Sequence, residues 1–511
     1  MTQIEADAVK SGVSVDTLIE KAGLAVAKRA RHYLGPVLGV PIVVLVGSGN
    51  NGTDGVVAAR HLRRWGAKVD VLICSARSEP DQRLERLKEI GVTVHHIYLK
   101  LNYSSVQQAF EHAHLVLDAV LGTNCTRELS GVIKTIFLLL NEIKWKSPSL
   151  KILAIDMPSG LIADTGWIDP AAPIADCTIA LGYPKLGHYL SPIEKNIGIL
   201  EIGDIGIPDG LDEFISINLM TVEWAREILP ARPLNSHKGT FGKSLIVGGS
   251  SQYIGAPYLA TAAAIRVGSG LVTAAIPQSI KTTIALKTTE ATILPLPETT
   301  DGEVSMKATE FILERSEGYK AILLGCGLGT SHETKKMLQD ILYSDAKLPT
   351  IIVDADGLNI LSEKTEWWRS FSTKAIITPH LNEMKRLLQT SDVISSKERI
   401  NIASSSATQW NKIVVLKGPY TVVADPDGGV MVSPFANPAL ATAGTGDVLA
   451  GVITGFLSQG LSIENAAALG VFVHGQAGEN IRERMGSTGM IASDLLCELP
   501  YVIKGLTDGS L

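Results

Sequence analysis

Asn437 to Gly451 reads NPALATAGTGDVLAG, a Gly-Thr-Gly turn set directly ahead of an aspartate that opens a hydrophobic helix. Gly444 and Gly446 let the chain turn tightly and approach a ligand, and the unpaired N–H groups at the start of the helix suit an anion. Asp447 is then a carboxylate beside a phosphate, which is unfavourable unless it takes a proton from an attacking hydroxyl. The plainer reading is an N-capping Asp after a glycine turn. This stretch closes a series of apolar segments, KSLIVGG, GLVTAAI, AILLGCG, TIIVDADG, AIITPH and KIVVLKG, with two or three helices after Gly446. Such a rhythm predicts an α/β fold for the second half.

Towards the N-terminus lies a polar, proline-marked segment from Ile205 to Lys238, with a short helical piece around Thr221 to Leu229; it is read as the domain boundary. Before it, from Val40 to about Leu200, the strands PIVVLV, KVDVLIC, VTVHHIYL, LVLDAVLG, KILAIDMPSG and CTIALGYPK alternate with helical stretches. This predicts a doubly wound parallel sheet, with helices from Val15 to Tyr33 packed on it. At 511 residues the chain exceeds what one hydrophobic core supports, so two domains are expected, residues 1–215 and 216–511.

Composition narrows the function. With 45% hydrophobic and 19% charged residues the chain is an ordinary α/β enzyme in make-up. Its net charge of −6 argues against a nucleic-acid partner, because no excess of Lys and Arg exists to displace counterions from phosphates. The apolar runs are strand-sized, short of the roughly 20 residues a membrane span needs, and the N-terminus has helical periodicity rather than a signal peptide's pattern. Five scattered cysteines without metal-type pairing fit a reducing compartment, and the expected location is the cytoplasm. A homo-oligomer is the expected assembly.

GSGNNGTDG, residues 47–55, satisfies G-x-G-x-x-G between a strand and a helix, but Asp70 lies near the start of the second strand instead of its end, which disfavours an ordinary NAD site. Asn50, Asn51, Asp54, Asp118, Asp156 and Ser159 all stand at strand carboxyl ends, where ligands bind in such sheets. Convergent neutral oxygens and carboxylates suit a hard cation; the plain alternative is a set of loop-initiating turns.

GSGNNGTDG, LDAVLGT, DMPSG, YPKLGH and GDIGIP, in that order, resemble the NAD(P)HX epimerase (YjeF N-terminal) family, of Rossmann-like fold. The resemblance implies interconversion of the R and S forms of hydrated NADH and NADPH. By motif match Asn50, Asn51, Gly52, Thr53, Asp54, Gly122, Thr123, Asn124 and Cys125 contact the hydrated cofactor, Asp156 serves at its nicotinamide ring, and Asn51, Asp118 and Ser159 hold potassium. Thr53 stands where the family has Gly, which requires a negative φ. Asn124 and Cys125 replace the Gly-Leu of the family's GTGL turn.

HKGTFGKSLIVGGS, GAPYLATAAAIRVGSGLVTAA, GCGLG, VDADGLN, TPHLNEMKRL, VVLKGPYT and NPALATAGTGDVLAG resemble the NAD(P)H-hydrate dehydratase family, of ribokinase-like fold. From the residues alone, Pro379 is expected to end ladder pairing and leave His380 projecting from a strand end, and Lys417-Gly418 can set an ammonium against phosphate, a surface lysine being the plain alternative. The resemblance assigns Lys417, Gly418, Pro419, Tyr420, Thr421 and Gly446 to the adenine nucleotide, and Ala256, Gly327, His380 and Asp447 to the hydrated cofactor. Asp447 then takes the proton of the cofactor's C6 hydroxyl as it attacks the terminal phosphate of ADP or ATP, with Mg2+ accompanying the nucleotide and the N–H groups of Gly444 to Gly446 stabilising the charge. Cys326, Leu440 and Ala443 depart from the family's usual Pro, Met and Gly. Together the resemblances imply a bifunctional NAD(P)H-hydrate repair enzyme. The rival reading is a small-molecule kinase with an N-terminal ligand-binding module.

Overall fold

The computed structural model describes residues 1–77, 81–190, 194–395 and 398–511, and the chain divides into two compact units, Met1–Ile215 and Ser216–Leu511. In the first, β1 (Pro41–Val46), β2 (Lys68–Ile73), β3 (Thr93–His96), β4 (Leu115–Ala119), β5 (Lys151–Ile155), β6 (Cys177–Leu181) and β7 (Ile199–Gly203) form one sheet in the order β3-β2-β1-β4-β5-β6-β7. Every pairing is parallel. Central strands covered on both faces need unbroken apolar runs, and β4 and β6 are buried at every residue. Helix Val15–Leu34 starts where the Ser14 hydroxyl accepts the Thr17 N–H. It buries Val26, Ala27 and Ala30 in the same core as Val44, Val46 and the helix Asn50–Arg64. Each fully buried Val or Leu contributes about 1.5–3 kcal/mol relative to exposure.

The strand order reverses between β1 and β4, opening a crevice at their carboxyl ends. Gly47 makes the turn out of β1 feasible: a Cβ there would lie 1.9 Å from the Val120 carbonyl oxygen. The edge strand β7, with Ile199 and Ile202 exposed, was not among the strands expected.

The second unit contains β8 (Ile217–Leu219), β9 (Lys243–Val247), β10 (Leu271–Pro277), β11 (Thr292–Leu296), β12 (Ala321–Leu324), β13 (Thr350–Val353), β14 (Ala375–Ile377), β15 (Ile413–Leu416), β16 (Val422–Ala424) and β17 (Val430–Val432). Their order is β11-β10-β9-β12-β13-β14-β15-β16-β17-β8. The pairs from β11 to β15 are parallel, whereas β16 runs antiparallel to both neighbours. The polar segment 205–238 is more than a linker. Ile217–Leu219 adds a parallel strand to β17, and helix Val222–Ile228, capped by Thr221, buries Ala225 in the second core. Helix Thr445–Ser458 is enclosed by this core and carries the glycine turn at its N-terminus to the carboxyl end of the sheet, where the order reverses between β9 and β12. Among the described residues no helix is long and apolar enough to cross a membrane.

Candidate active sites

In the first unit, Asn50, Asn51, Asp54, Gly122, Thr123, Asn124, Cys125 and Asp156 line one cavity of about 490 Å3. Gly52 and Thr53 lie outside that lining. Thr53 has no positive φ, so the replacement of Gly is accommodated within helix Asn50–Arg64, and its hydroxyl accepts from Arg77 Nη2 at 3.0 Å.

Asp118 and Ser159 lie together, fully buried, and are not part of the cavity lining. Asp118 Oδ1 accepts the Ser159 hydroxyl at 2.6 Å and the Val120 N–H at 3.2 Å, while Oδ2 accepts the Ser159 N–H at 2.7 Å. Burial pushes the Asp118 carboxyl up to about 6 against the pull of these donors. Ser159 Oγ in turn accepts the Leu121 N–H, and Asn51 Nδ2 donates to the Leu121 carbonyl at 3.0 Å. Asn51, Asp118 and Ser159 are thereby joined through one backbone residue. Asn51 Oδ1 is buried with no hydrogen-bond partner among the described residues, an acceptor left to be satisfied.

Asp156 adopts φ 66°, a conformation that side chains rarely take and that is stored strain when it occurs. Its carboxylate accepts the Leu181 N–H at 3.1 Å and is paired with the Lys185 ammonium, which also donates to the Leu181 carbonyl. His188 holds the strained backbone: Nε2 donates to the Asp156 carbonyl at 3.0 Å, while Nδ1 accepts the Lys185 N–H. That pattern fixes a neutral tautomer, and burial lowers the ring's pKa to about 4. Lys185 and His188 belong to YPKLGH, but the sequence reading gave neither a role; their partner, Asp156, is distant along the chain.

In the second unit, Asp447 is the third residue of helix Thr445–Ser458, and the N-cap is Gly444 in the left-handed region at φ 88°, so the capping reading of Asp447 fails. The Thr445 N–H turns back to Thr442 and the Val448 N–H to Gly444. This takes the Thr445 N–H out of the expected set and leaves those of Gly444, Gly446 and Asp447 with no acceptor among the described residues. The Thr445 hydroxyl donates to the Leu440 and Thr442 carbonyls, and His474 Nε2 donates to the Thr445 carbonyl at 3.0 Å.

The Asp447 carboxylate meets Cys326 and Asp354, with their ligand-type atoms within 4.8 Å of one another. Burial first, and the Asp354 charge second, push Asp447 up to about 6. Lys417 is no surface lysine: its ammonium lies 2.7 Å from Asp354 Oδ1 and 3.8 Å from Glu383 Oε2. Burial pulls its pKa down, but these carboxylates outweigh burial and leave it raised. Thr378 adds a hydroxyl to Asp354 at 2.7 Å.

The regular β14 ladder ends at Ile377, but pairing resumes past Pro379. The Pro379 carbonyl still accepts the Lys417 N–H, and His380 forms a further parallel bridge to Lys417, because proline removes a donor and leaves the acceptor. His380 instead caps helix Leu381–Leu388: its Nδ1 accepts the Asn382 and Glu383 N–H groups, and Glu383 accepts the His380 N–H. The half-exposed ring has a pKa lowered by burial and then by Lys417. Gly327 and Ala256 are neighbours, a Cβ on Gly327 lying 3.0 Å from that of Ala256. The segment Lys417 to Thr421 is held by Arg399, which donates to the Leu416 and Pro419 carbonyls, and by the Thr421 hydroxyl donating to the Gly418 carbonyl at 2.9 Å. Tyr420 has φ 51° and donates its N–H to the Phe435 carbonyl. Asp354, Glu383, Arg399 and His474 went unassigned in the sequence, the first two although they stand in quoted motifs.

Two family descriptions match this chain: "YjeF-related protein N-terminus" over residues 15–187 and "NAD(P)H-hydrate dehydratase" over residues 244–501. A bifunctional NAD(P)H-hydrate repair enzyme of Moorella thermoacetica is 38% identical over 501 residues, covering 96% of this chain and 93% of the relative. The chain belongs to the family of bifunctional NAD(P)H-hydrate repair enzymes. Another such repair enzyme, of Thermofilum pendens, is 35% identical over 98% of this chain and 94% of its own length. The ribokinase-like fold of the second unit is shared with a ribokinase-like superfamily protein of Enterococcus faecalis, at TM-score 0.50 and 24% identity over 57% of this chain and 97% of that one. NAD(P)H-hydrate repair is thus spread over two folds joined in one chain, each with its cluster of candidate residues at a strand-order reversal.

Proposed function

We propose that residues 1–215 interconvert the R and S epimers of NADHX and NADPHX, and that residues 216–511 dehydrate the S epimer to NAD(P)H at the expense of ADP or ATP brought in with Mg2+. The observation that carries the second assignment is Asp447 itself, a part-buried carboxyl with its pKa raised to about 6, beside two unpaired helix N–H groups. Terminal phosphate binds those N–H groups, with Lys417 adding charge. The carboxylate then takes the proton of the C6 hydroxyl as its oxygen attacks phosphorus. Phosphate is a far better leaving group than hydroxide, and its departure from C6 together with loss of a C5 proton restores NAD(P)H. The segment Lys417, Gly418, Pro419, Tyr420 and Thr421, with Gly446, holds the nucleotide. Ala256, Gly327 and His380 line the place of the hydrated cofactor.

In the first unit Asn50 to Asp54 and Gly122 to Cys125 bind the hydrated cofactor, with Asp156 at its nicotinamide ring. The oxygen set of Asn51, Asp118 and Ser159 fits potassium: one carboxylate and neutral donors suit a monovalent cation, and the unpartnered Asn51 Oδ1 needs a partner of positive charge. Bound there, the ion would supply a fixed positive charge beside the cofactor loop. The unpaired state of all five cysteines fits a cytoplasmic location.

The test is to supply both epimers of NADHX with ATP, Mg2+ and K+ to the purified chain and follow the absorbance of reduced nicotinamide. Full recovery is expected. A stable phosphoester in place of NADH would make the second unit a kinase.

A further inference from the structure

The first site holds two carboxyls in one cavity, Asp54 and Asp156, and their surroundings differ sharply. Asp156 is fixed by the Lys185 ammonium and the Leu181 N–H, with its backbone clamped by His188. Asp54 is at least as deeply buried, at 7% exposure against 8% for Asp156, yet among the described residues its carboxyl receives no hydrogen bond and no ion pair. The charged groups that act on it are Asp156 after β5, Glu5 from helix Thr2–Lys10, Arg83 from helix Gln82–Glu89 and Lys185 after β6. Burial, and next the Asp156 charge, raise its pKa well above the usual carboxylate range. Two carboxyls facing one substrate, one paired with a cation and one left without a donor, is the arrangement that separates an acid from a base.

Resting on the epimerase reading above, we propose that Asp54 is the proton donor of the first site, protonating the C6 hydroxyl of hydrated NAD(P)H so that it departs as water. The C6–O bond breaks and its electron pair leaves with the water, while the lone pair of ring N1 forms the C6=N1 bond and Asp54 becomes a carboxylate. A water then adds to the opposite face of C6 and gives its proton to Asp156. Proton transfer between the two carboxyls of the shared cavity restores the starting pair. Water is the sole co-reactant, and nothing is oxidised or reduced.

The experiment uses the full chain with K+ and purified R-NADHX in the absence of nucleotide, so that only epimerisation proceeds, with the epimers separated by chromatography. Asp54→Asn should lower kcat on the order of 100-fold or more with little change in KM, and Asp54→Glu should recover part of the loss. In heavy-oxygen water the S product should carry solvent oxygen at C6. The wild-type rate should fall as pH rises through the raised range of Asp54. Near-normal kcat in Asp54→Asn, a loss confined to KM, or an S product that retains its original oxygen would each overturn the proposal. Should the Asn variant melt as an unfolded chain, the wild-type pH profile and oxygen label decide: a rate rising with pH, or no label, overturns it. A wild-type chain that leaves R-NADHX untouched, while a thermal melt shows it folded, fails the epimerase reading itself and takes Asp54 with it.

Discussion

Asp447 needs its negative charge to act, and its site resists that charge. Burial and Asp354 raise its pKa to about 6, so the base form is lost as pH falls through that value and gained as pH rises above it. Dehydration of S-NADHX should therefore rise with pH up to about 6 to 7 and then level; a profile flat down to pH 5 would contradict this assignment. Asp447→Asn keeps the shape without the proton acceptor. It should lower kcat on the order of 100-fold or more while raising the melting temperature, because a part-buried charge repelled by Asp354 is removed. Calorimetry and single-turnover kinetics on one preparation check both directions. Asp118→Ala should act otherwise. It strands the buried Ser159 and Val120 donors, a cost of about 1–3 kcal/mol for each group left unsatisfied. A lower melting point for the first unit and weakened epimerisation are expected, and an unchanged melt would show that water takes over the lost acceptor. Asp447, Asp156 and Lys417 could be singled out as candidates in the sequence because each stands in a short motif beside glycine or a strand end. Lys185, His188, Asp354 and Glu383 stand in equally visible motifs, but their work depends on partners that only folding brings near: Asp156 for the first two, Lys417 for the others.

At the scale of elements, the glycine turn is aimed from outside its own helix. His474, buried on helix Ile463–Met485, donates to the Thr445 carbonyl, and that carbonyl shares a peptide plane with the Gly446 N–H. Holding one end of a planar trans peptide directs the other, so the Gly446 N–H is kept pointing where the proposed phosphate would bind. Burial lowers the pKa of His474 to about 4, which leaves the ring neutral and donating at working pH. His474→Phe, which keeps a ring and removes the donor, should reduce kcat for dehydration about 10-fold, short of the loss that follows deleting an oxyanion donor outright. Steady-state kinetics with unchanged kcat would mean that the Thr445 hydroxyl holds the turn unaided. The central parallel strands were legible because burial on both faces demands unbroken apolar runs, as in PIVVLV and KILAI, whereas the parallel edge strands β7 and β11, largely exposed or half-buried, were not. The three-residue strands β8, β16 and β17 were not, since so short a segment carries no periodicity and is defined by its ladder partners; β14, equally short, was read only because its apolar run continues to Thr378 and Pro379. Pro379 misled for a different reason: the missing N–H was counted, and the carbonyl that still pairs with Lys417 was not.

Across the whole molecule, the two candidate sites belong to different compact units, and each has its own hydrophobic core. Helix Val222–Ile228 and strand β8 pack within the second unit, so a chain beginning at residue 216 retains them. Both family motif sets were legible along the sequence, whereas the packing of 216–229 into the second core was not, because it lies within the polar, proline-marked stretch 205–238, with Pro208 before it and Pro230 and Pro233 after it, which looks like a linker. The proposed division of labour makes residues 216–511 a dehydratase that folds alone and consumes only the S epimer. The most direct measurement supplies an equal mixture of R- and S-NADHX, with ATP, Mg2+ and K+, to residues 216–511 alone and then adds residues 1–215 as a separate protein. Recovery of NADH should stop near half, apart from slow spontaneous epimerisation, and proceed to completion on the addition. A folded 216–511 chain that consumes both epimers at equal rates would contradict the account.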